Sequence, residues 1–141
     1  MPRGYEPFEH TADAGAVVRG ATLSRLFENA ALALFDLMAD RRTVRPRRRV
    51  RVAASADSLE GLLVRFLTEI LYLHETRGLL FSSCRVQRVD RVRHRAGAVL
   101  RGEPINRTRH RLRREVKAAT WHQLHLVRGR SAWRVRIVFD V

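Results

Sequence analysis

Only two stretches of this chain carry a helical hydrophobic period, and most of the other apolar residues alternate with polar ones. Between residues 22 and 39, Leu23, Leu26, Phe27, Ala30, Ala31, Leu34 and Met38 recur at i, i+3, i+4, i+7 spacing, which predicts a core-facing helix. Thr22 is its expected N-cap, since a hydroxyl there can accept from an amide of the first turn. About residues 58–76, the period returns through Leu59, Leu62, Leu63, Phe66, Leu67, Ile70 and Leu71. Asp57 with Glu60 three residues on reads as a capping box, and Gly78 suits the C-terminal stop.

Strand patterns fill the rest. A first strand is expected at 16–19, Val50 and Val52 alternate with arginines, and Cys84 and Val86 continue the theme. The clearest is the last, where Trp133, Val135, Ile137 and Phe139 alternate with Arg134, Arg136 and Val138. Such alternation implies a sheet with one wet face, hence antiparallel or mixed pairing. The basic run 41–49, broken by Pro46, reads as a linker into a strand. No repeat and no Pro/Gly/Ser-rich boundary divides residues 1–141, so a single domain is expected. The fold class is α+β: a mixed, mostly antiparallel sheet with two amphipathic helices on one face, a two-layer sandwich.

Composition narrows the chemistry. Hydrophobic residues make up 45% of 141, which argues against disorder. The lone cysteine, Cys84, excludes an internal disulfide, and its alternating surroundings favour a small buried side chain over a nucleophile. The N-terminus lacks the apolar run of a signal peptide, and nothing approaches the roughly 18 apolar residues of a membrane span. A soluble, cytoplasmic protein without membrane partners is therefore expected. Lys and Arg outnumber Asp and Glu by 28 to 14, a formal charge of +14, which points to nucleic acid or an acidic partner. However, 27 of the 28 are arginines spread over most of the chain, as a merely solvated basic surface would be. No basic–aromatic interleaving appears along the chain, so any RNA contact is expected to be weak or indirect. The single lysine, Lys117, hints at a need for a compact ammonium rather than a planar fork.

Two carboxylate-bearing ends stand out. His10-Thr11-Ala12-Asp13 precedes Gly15 in a turn-like stretch, where Asp13 could simply cap backbone amides. At the other end, Asp140 and the α-carboxylate of Val141 put anionic oxygens on adjacent residues. If the first and last strands are neighbours, Asp13 joins them in a cluster of hard oxygens that favours Ca²⁺, Mg²⁺ or Mn²⁺ over zinc. A third constellation runs from Gly102-Glu103 through His110 to Glu115-Val116-Lys117-Ala118-Ala119-Thr120-Trp121-His122. In an unbroken strand Glu115 and Lys117 would share one face and could pair, with Thr120 and His122 opposite. No Ser-His-Asp order, phosphate loop, Cys/His pattern or H-E-x-x-H is present.

These stretches, with Leu26-Phe27-Glu28-Asn29-Ala30-Ala31, Leu62-Leu63-Val64, Glu69 and the Phe139-Asp140-Val141 finish, resemble the archease family along nearly the whole chain. Two positions depart from its pattern: Asn106 where aspartate is usual, and Trp121 where tyrosine is usual. The resemblance implies a non-catalytic activator of RtcB-type RNA ligases. Such a protein promotes GTP-dependent guanylylation and multiple turnover of the ligase in tRNA splicing and RNA repair. It also implies a Ca²⁺-type metal site at Asp13, Asp140 and Val141. His10, Glu115, Lys117, Thr120 and His122 become candidate contacts to the ligase or its nucleotide. Two other functions fit the residues less fully: a general basic RNA-binding or chaperone module, and a small metal-dependent hydrolase with His10 as base.

Overall fold

The computed structural model describes residues 4–9 and 13–141, without the side chains of Glu9, Asp13, His122 and Gln123. His10, Thr11 and Ala12 lie outside the described residues. Seven strands and two α-helices follow in the order β1 (Tyr5–Glu9), β2 (Asp13–Gly20), α1 (Leu23–Met38), β3 (Arg48–Ser55), α2 (Leu59–Arg77), β4 (Leu79–Asp90), β5 (Arg95–Pro104), β6 (Ala118–Arg128) and β7 (Trp133–Asp140). A short 3-10 turn, Arg41–Thr43, opens the basic linker.

Both helices form where the period places them. Thr22 accepts from the Arg25 amide, and Gly78 closes α2 at φ 62°, a left-handed conformation that costs glycine least. The cap of α2 differs by one residue from the expected box: Ser58 accepts from the Gly61 amide. A hydroxyl in the extended N-cap conformation meets the N3 amide, so Ser58 takes the role assigned to Asp57.

The α+β class and the antiparallel pairing agree with the alternation, but the strands divide between two sheets. One runs β1-β2-β7-β6 and the other β3-β5-β4, every named pair being antiparallel. The first strand is longer than 16–19, and β1 precedes it unforeseen because Tyr5-Glu6-Pro7-Phe8-Glu9 lacks a clean alternation. Each helix packs against both sheets, α1 on β2 and β4, α2 on β3 and β6. This explains why Ala33 and Phe35, off the predicted stripe, are buried too. Phe27 meets Phe66 and Phe35 meets Phe81 at centroid separations of 5.4 and 5.5 Å, joining the layers through one core.

Polar links then fix α1 in place. Glu28 accepts from the Val86 amide of β4 at 2.8 Å, and Asn29 donates to the Arg19 carbonyl at 2.7 Å. The carbonyls of the last four residues of a helix have no partner within it. Here each finds one: Phe35 from the Ala39 amide, Asp36 from the Arg113 guanidinium, Leu37 from the Arg114 amide and Met38 from the Arg113 amide. The segment after β5 thus serves as the C-terminal cap of α1.

Candidate functional site

The condition on which the acidic cluster depended is met: β2 and β7 are neighbours, and their register sets Asp13 directly opposite Asp140. Along both strands one face is core, with Ala14, Ala16 and Val18 opposite Phe139, Ile137 and Val135, all buried. By the two-residue period, Asp140 belongs to the opposite face, with Gly15, Val138, Val17 and Arg136. Asp140 is exposed there. Gly15 has no room for a side chain, since a Cβ would lie 2.1 Å from the Ile137 carbonyl oxygen and 2.6 Å from the Phe8 ring. Phe8 in turn lies under the Arg136 guanidinium, 4.3 Å from its ring centroid.

On the other side of β7, Ala118 pairs with Asp140, and the Lys117 amide donates to the Asp140 carbonyl at 2.8 Å. The three predicted elements, first strand, last strand and lysine segment, therefore meet at one strand end. Lys117 itself is exposed. The expectation of a continuous strand through Glu115 and Lys117 is not met, because β6 begins at Ala118. The residues before it are committed to capping α1, and no ion pair joins Glu115 to Lys117 among the described residues. Thr120 lies on β6 opposite Val138 and donates to its carbonyl at 3.0 Å. His10 and the His122 side chain lie outside the described residues.

The loop that follows β5 is anchored by a buried carboxylate, Glu103, near the end of that strand. It is 3% exposed and accepts from Arg109 at 2.6 Å, from the Arg45 amide at 2.7 Å and from His110 Nε2 at 2.8 Å. The Asn106 amide donates to His110 Nδ1 at 2.9 Å, which leaves Nε2 to donate to Glu103. The Arg109 guanidinium, helped by the Arg45 amide and His110 against the effect of burial, holds the Glu103 carboxyl down to about 2. Glu103 and His110 are thus a structural clasp between the basic linker and residues 106–110. Asn106 is part of the same loop: its Oδ1 accepts from the Thr108 amide and hydroxyl and from the Arg109 amide. An aspartate could accept the same bonds, so the departure at this position keeps the turn and drops a charge.

Among the described residues, no three His, Cys, Asp or Glu side chains gather as a metal group. That statement does not reach Asp13, whose side chain is not described. The chemistry of the donor set fits a hard cation all the same. Like charges directly opposite on a sheet are destabilising, and Asp13 and Asp140 occupy such a pair. A divalent cation with oxygen ligands would relieve the pair, with the Val141 carboxylate next in chain.

Elsewhere, burial pushes the Cys84 thiol up to about 12, aided by the nearby Glu28 carboxylate. The thiol is half-buried beside α1 and matches the inert role expected of it. A soluble aromatic disulfide reagent at pH 8 should react with Cys84 at least ten-fold more slowly in the folded protein than in urea. Equal rates would show an accessible thiolate.

A small α+β domain with two helices, antiparallel sheets and an acidic strand end beside a lone lysine is the class defined so far. The family model described as "Archease protein family (MTH1598/TM1083)" matches residues 5–141. The chain is 40% identical to a protein archease of Thermococcus gammatolerans over 144 residues, 99% of each chain. It is 36% identical to that of Methanosarcina acetivorans over 139 residues, 97% of this chain and 95% of the relative. The solution structure of Methanobacterium thermoautotrophicum protein 1598 superposes with a TM-score of 0.78 at 31% identity, covering 99% of this chain and all of that one. A crystal structure from Thermotoga maritima, described as an archease and possible chaperone, shares the fold at a TM-score of 0.63 and 19% identity, covering 96% of each chain. This chain belongs to the archease family.

Proposed function

We propose that this protein is an accessory factor of an RtcB-type RNA ligase, promoting GTP-dependent guanylylation and turnover of the ligase without being a catalyst itself. The observation that supports this most directly is the convergence at one strand end of Asp13, Asp140 and the Lys117 segment. Asp13, Asp140 and the Val141 carboxylate would hold a divalent cation, Ca²⁺ before Mg²⁺ or Mn²⁺. When bound, the cation supplies positive charge that neutralises carboxylates and attracts phosphate. Lys117 presents a compact ammonium to phosphate as a point charge. The α1 cap and the bond from the Lys117 amide to the Asp140 carbonyl hold that lysine segment against the end of β7. Their part is to fix the position of the tip when it meets the ligase's nucleotide pocket. Glu115, Thr120, His122 and His10 lie in or beside the same chain segments and are secondary candidates for that contact.

The test is guanylylation of a cognate RtcB-type ligase with GTP, with and without the protein. Asp13→Ala is expected to abolish stimulation, and Lys117→Ala to reduce it at least ten-fold, with unchanged circular dichroism. Full stimulation by Asp13→Ala would overturn the assignment of the acidic tip, and no stimulation by the wild-type protein would overturn the accessory role.

A further inference from the structure

We propose that the groove between α2, the β4–β5 turn and the start of β6 binds single-stranded nucleic acid, stacking a base on Trp121 and holding phosphates on Arg93, Arg95 and Arg65. The site is separate in its residues from the acidic strand end and does not rest on the ligase reading.

The groove arises from an irregularity in an edge strand. Thr120 pairs with Val138, but the next paired residue of β6 is His125, opposite Arg136. Five steps on β6 therefore face two on β7, a bulge-type shift in register. Such a bulge re-aims side chains at a sheet edge. Trp121 follows Thr120 within this shift, and its ring edge reaches α2, where a Cβ added to Gly61 would lie 3.0 Å from Cη2. The rest of the indole is open, 59% exposed. It lines a cavity of ≈ 750 Å³ with Arg65, Arg93, Arg95, Asp57 and Ser58. A second cavity of ≈ 820 Å³ continues it, sharing Ser55, Arg65, Arg93 and Arg95.

The charges in this groove are available. The guanidinium groups of Arg93 and Arg95 make no ion pair or hydrogen bond among the described residues, and the Arg93 amide donates to Asp90 Oδ1 at 3.0 Å. Arg65 reaches Glu69 at 2.8 Å yet stays 58% exposed. Around Trp121 three arginines face Asp57, and the continuing cavity adds Arg88 beside Glu69 and Asp90, so the groove as a whole holds four arginines and three carboxylates. Chain order hides this arrangement, since Trp121 and the arginines are far apart in sequence. The fold supplies the basic–aromatic interleaving that the linear sequence lacks. An open π face beside guanidinium groups is the chemistry of single-strand recognition, in which bases stack on aromatics and cations track the backbone. A duplex keeps its bases stacked on one another and offers no free face to an indole. A protein partner is a poorer fit, because such an interface centres on a wider apolar core, whereas here a single aromatic ring stands among hydroxyls and guanidiniums.

The experiment needs no ligase. In a Trp133→Phe background, Trp121 is the sole tryptophan, and its fluorescence reports the groove directly. Ten-nucleotide single strands of RNA and of DNA are titrated, with UMP and a ten-base-pair RNA duplex alongside. Both single strands are expected to quench the indole; tighter RNA binding would identify RNA as the ligand, and equal binding a stacking site indifferent to the sugar. UMP should bind at least a hundred-fold more weakly, and the duplex should leave the indole unquenched. Trp121→Ala should weaken single-strand binding roughly ten-fold or more, while Trp121→Phe retains most of it through its own π face. Arg93→Ala with Arg95→Ala should cost at least ten-fold and lower the salt slope by about 1.4. A control pair outside the groove, Arg47→Ala with Arg48→Ala, should lose less than three-fold. Unquenched fluorescence with the single strands, wild-type binding by both Trp121 variants, an equal loss in the control pair, or UMP binding as tight as the oligomer would each overturn the proposal.

Discussion

Replacing Glu103 with alanine is expected to destabilise the protein by about 3–5 kcal/mol, the usual cost of removing one partner from a buried ion pair. The unfolding midpoint should fall by roughly 10 °C or more. Three donors converge on this carboxylate from three places, the Arg109 side chain, the Arg45 amide and His110 Nε2. Alanine would leave all three facing a void, with His110 itself only 5% exposed. The acid limb should change as well. Because the folded carboxyl titrates at about 2, below its ordinary 4.5, its contribution is complete above about pH 4.5 and is lost as pH falls toward 2. Wild type should therefore lose stability across that window, while Glu103→Gln, destabilised at neutral pH, should lose distinctly less there. Thermal melts from pH 2 to 7 measure both effects. A neutral-pH midpoint within 2 °C of wild type for Glu103→Ala would show that the clasp contributes little.

The physical reason Glu103 matters was not readable from spacing. Its partners, Arg45 and Arg109, sit in segments that look like undirected basic runs, and only the meeting of β5 with the linker brings them together. The helices were legible because a 3.6-residue stripe is written locally, as in Leu23, Leu26, Phe27 and Ala30. The last strand was legible for the same reason with period two. Two sheets in place of one could not be read, since pairing between β2 and β7 is a contact between chain ends. Local pattern says which face of a strand is wet, and it is silent about which strand lies alongside.

The candidate site divides along the same line. Asp13 and Asp140 were singled out by charge at strand ends, and the conditional that joined them was topological. Glu115 and Lys117, two residues apart, would share a face in a strand, whereas the orphan carbonyls of α1 claim the amides of Arg113 and Arg114. A helix end in need of donors outcompeted strand propensity, so β6 starts only at Ala118. Trp121 departs from the family pattern, and the register shift beside it leaves no trace in periodicity.

If the acidic strand end holds a cation, calcium and chelator should move Asp13 and Asp140 variants in opposite directions relative to wild type. In chelator, Asp13→Asn and Asp140→Asn should each melt at or above the wild-type midpoint, because each removes a like-charge pair directly across the sheet. In calcium at a hundred times its dissociation constant, wild type should gain about 2.7 kcal/mol from binding linkage, and the variants little or nothing. The order of stability would thus invert between the two buffers. A general loss of packing cannot mimic this inversion, since it would lower both melts. Extending the chain by two glycines beyond Val141 separates the contributions further: it moves the terminal carboxylate but leaves Asp13 and Asp140 in register. A smaller calcium gain in that variant would assign the carboxylate as a ligand, and an unchanged gain would restrict the site to the two aspartates. Parallel shifts of wild type and both asparagine variants with calcium would remove the cation from the tip.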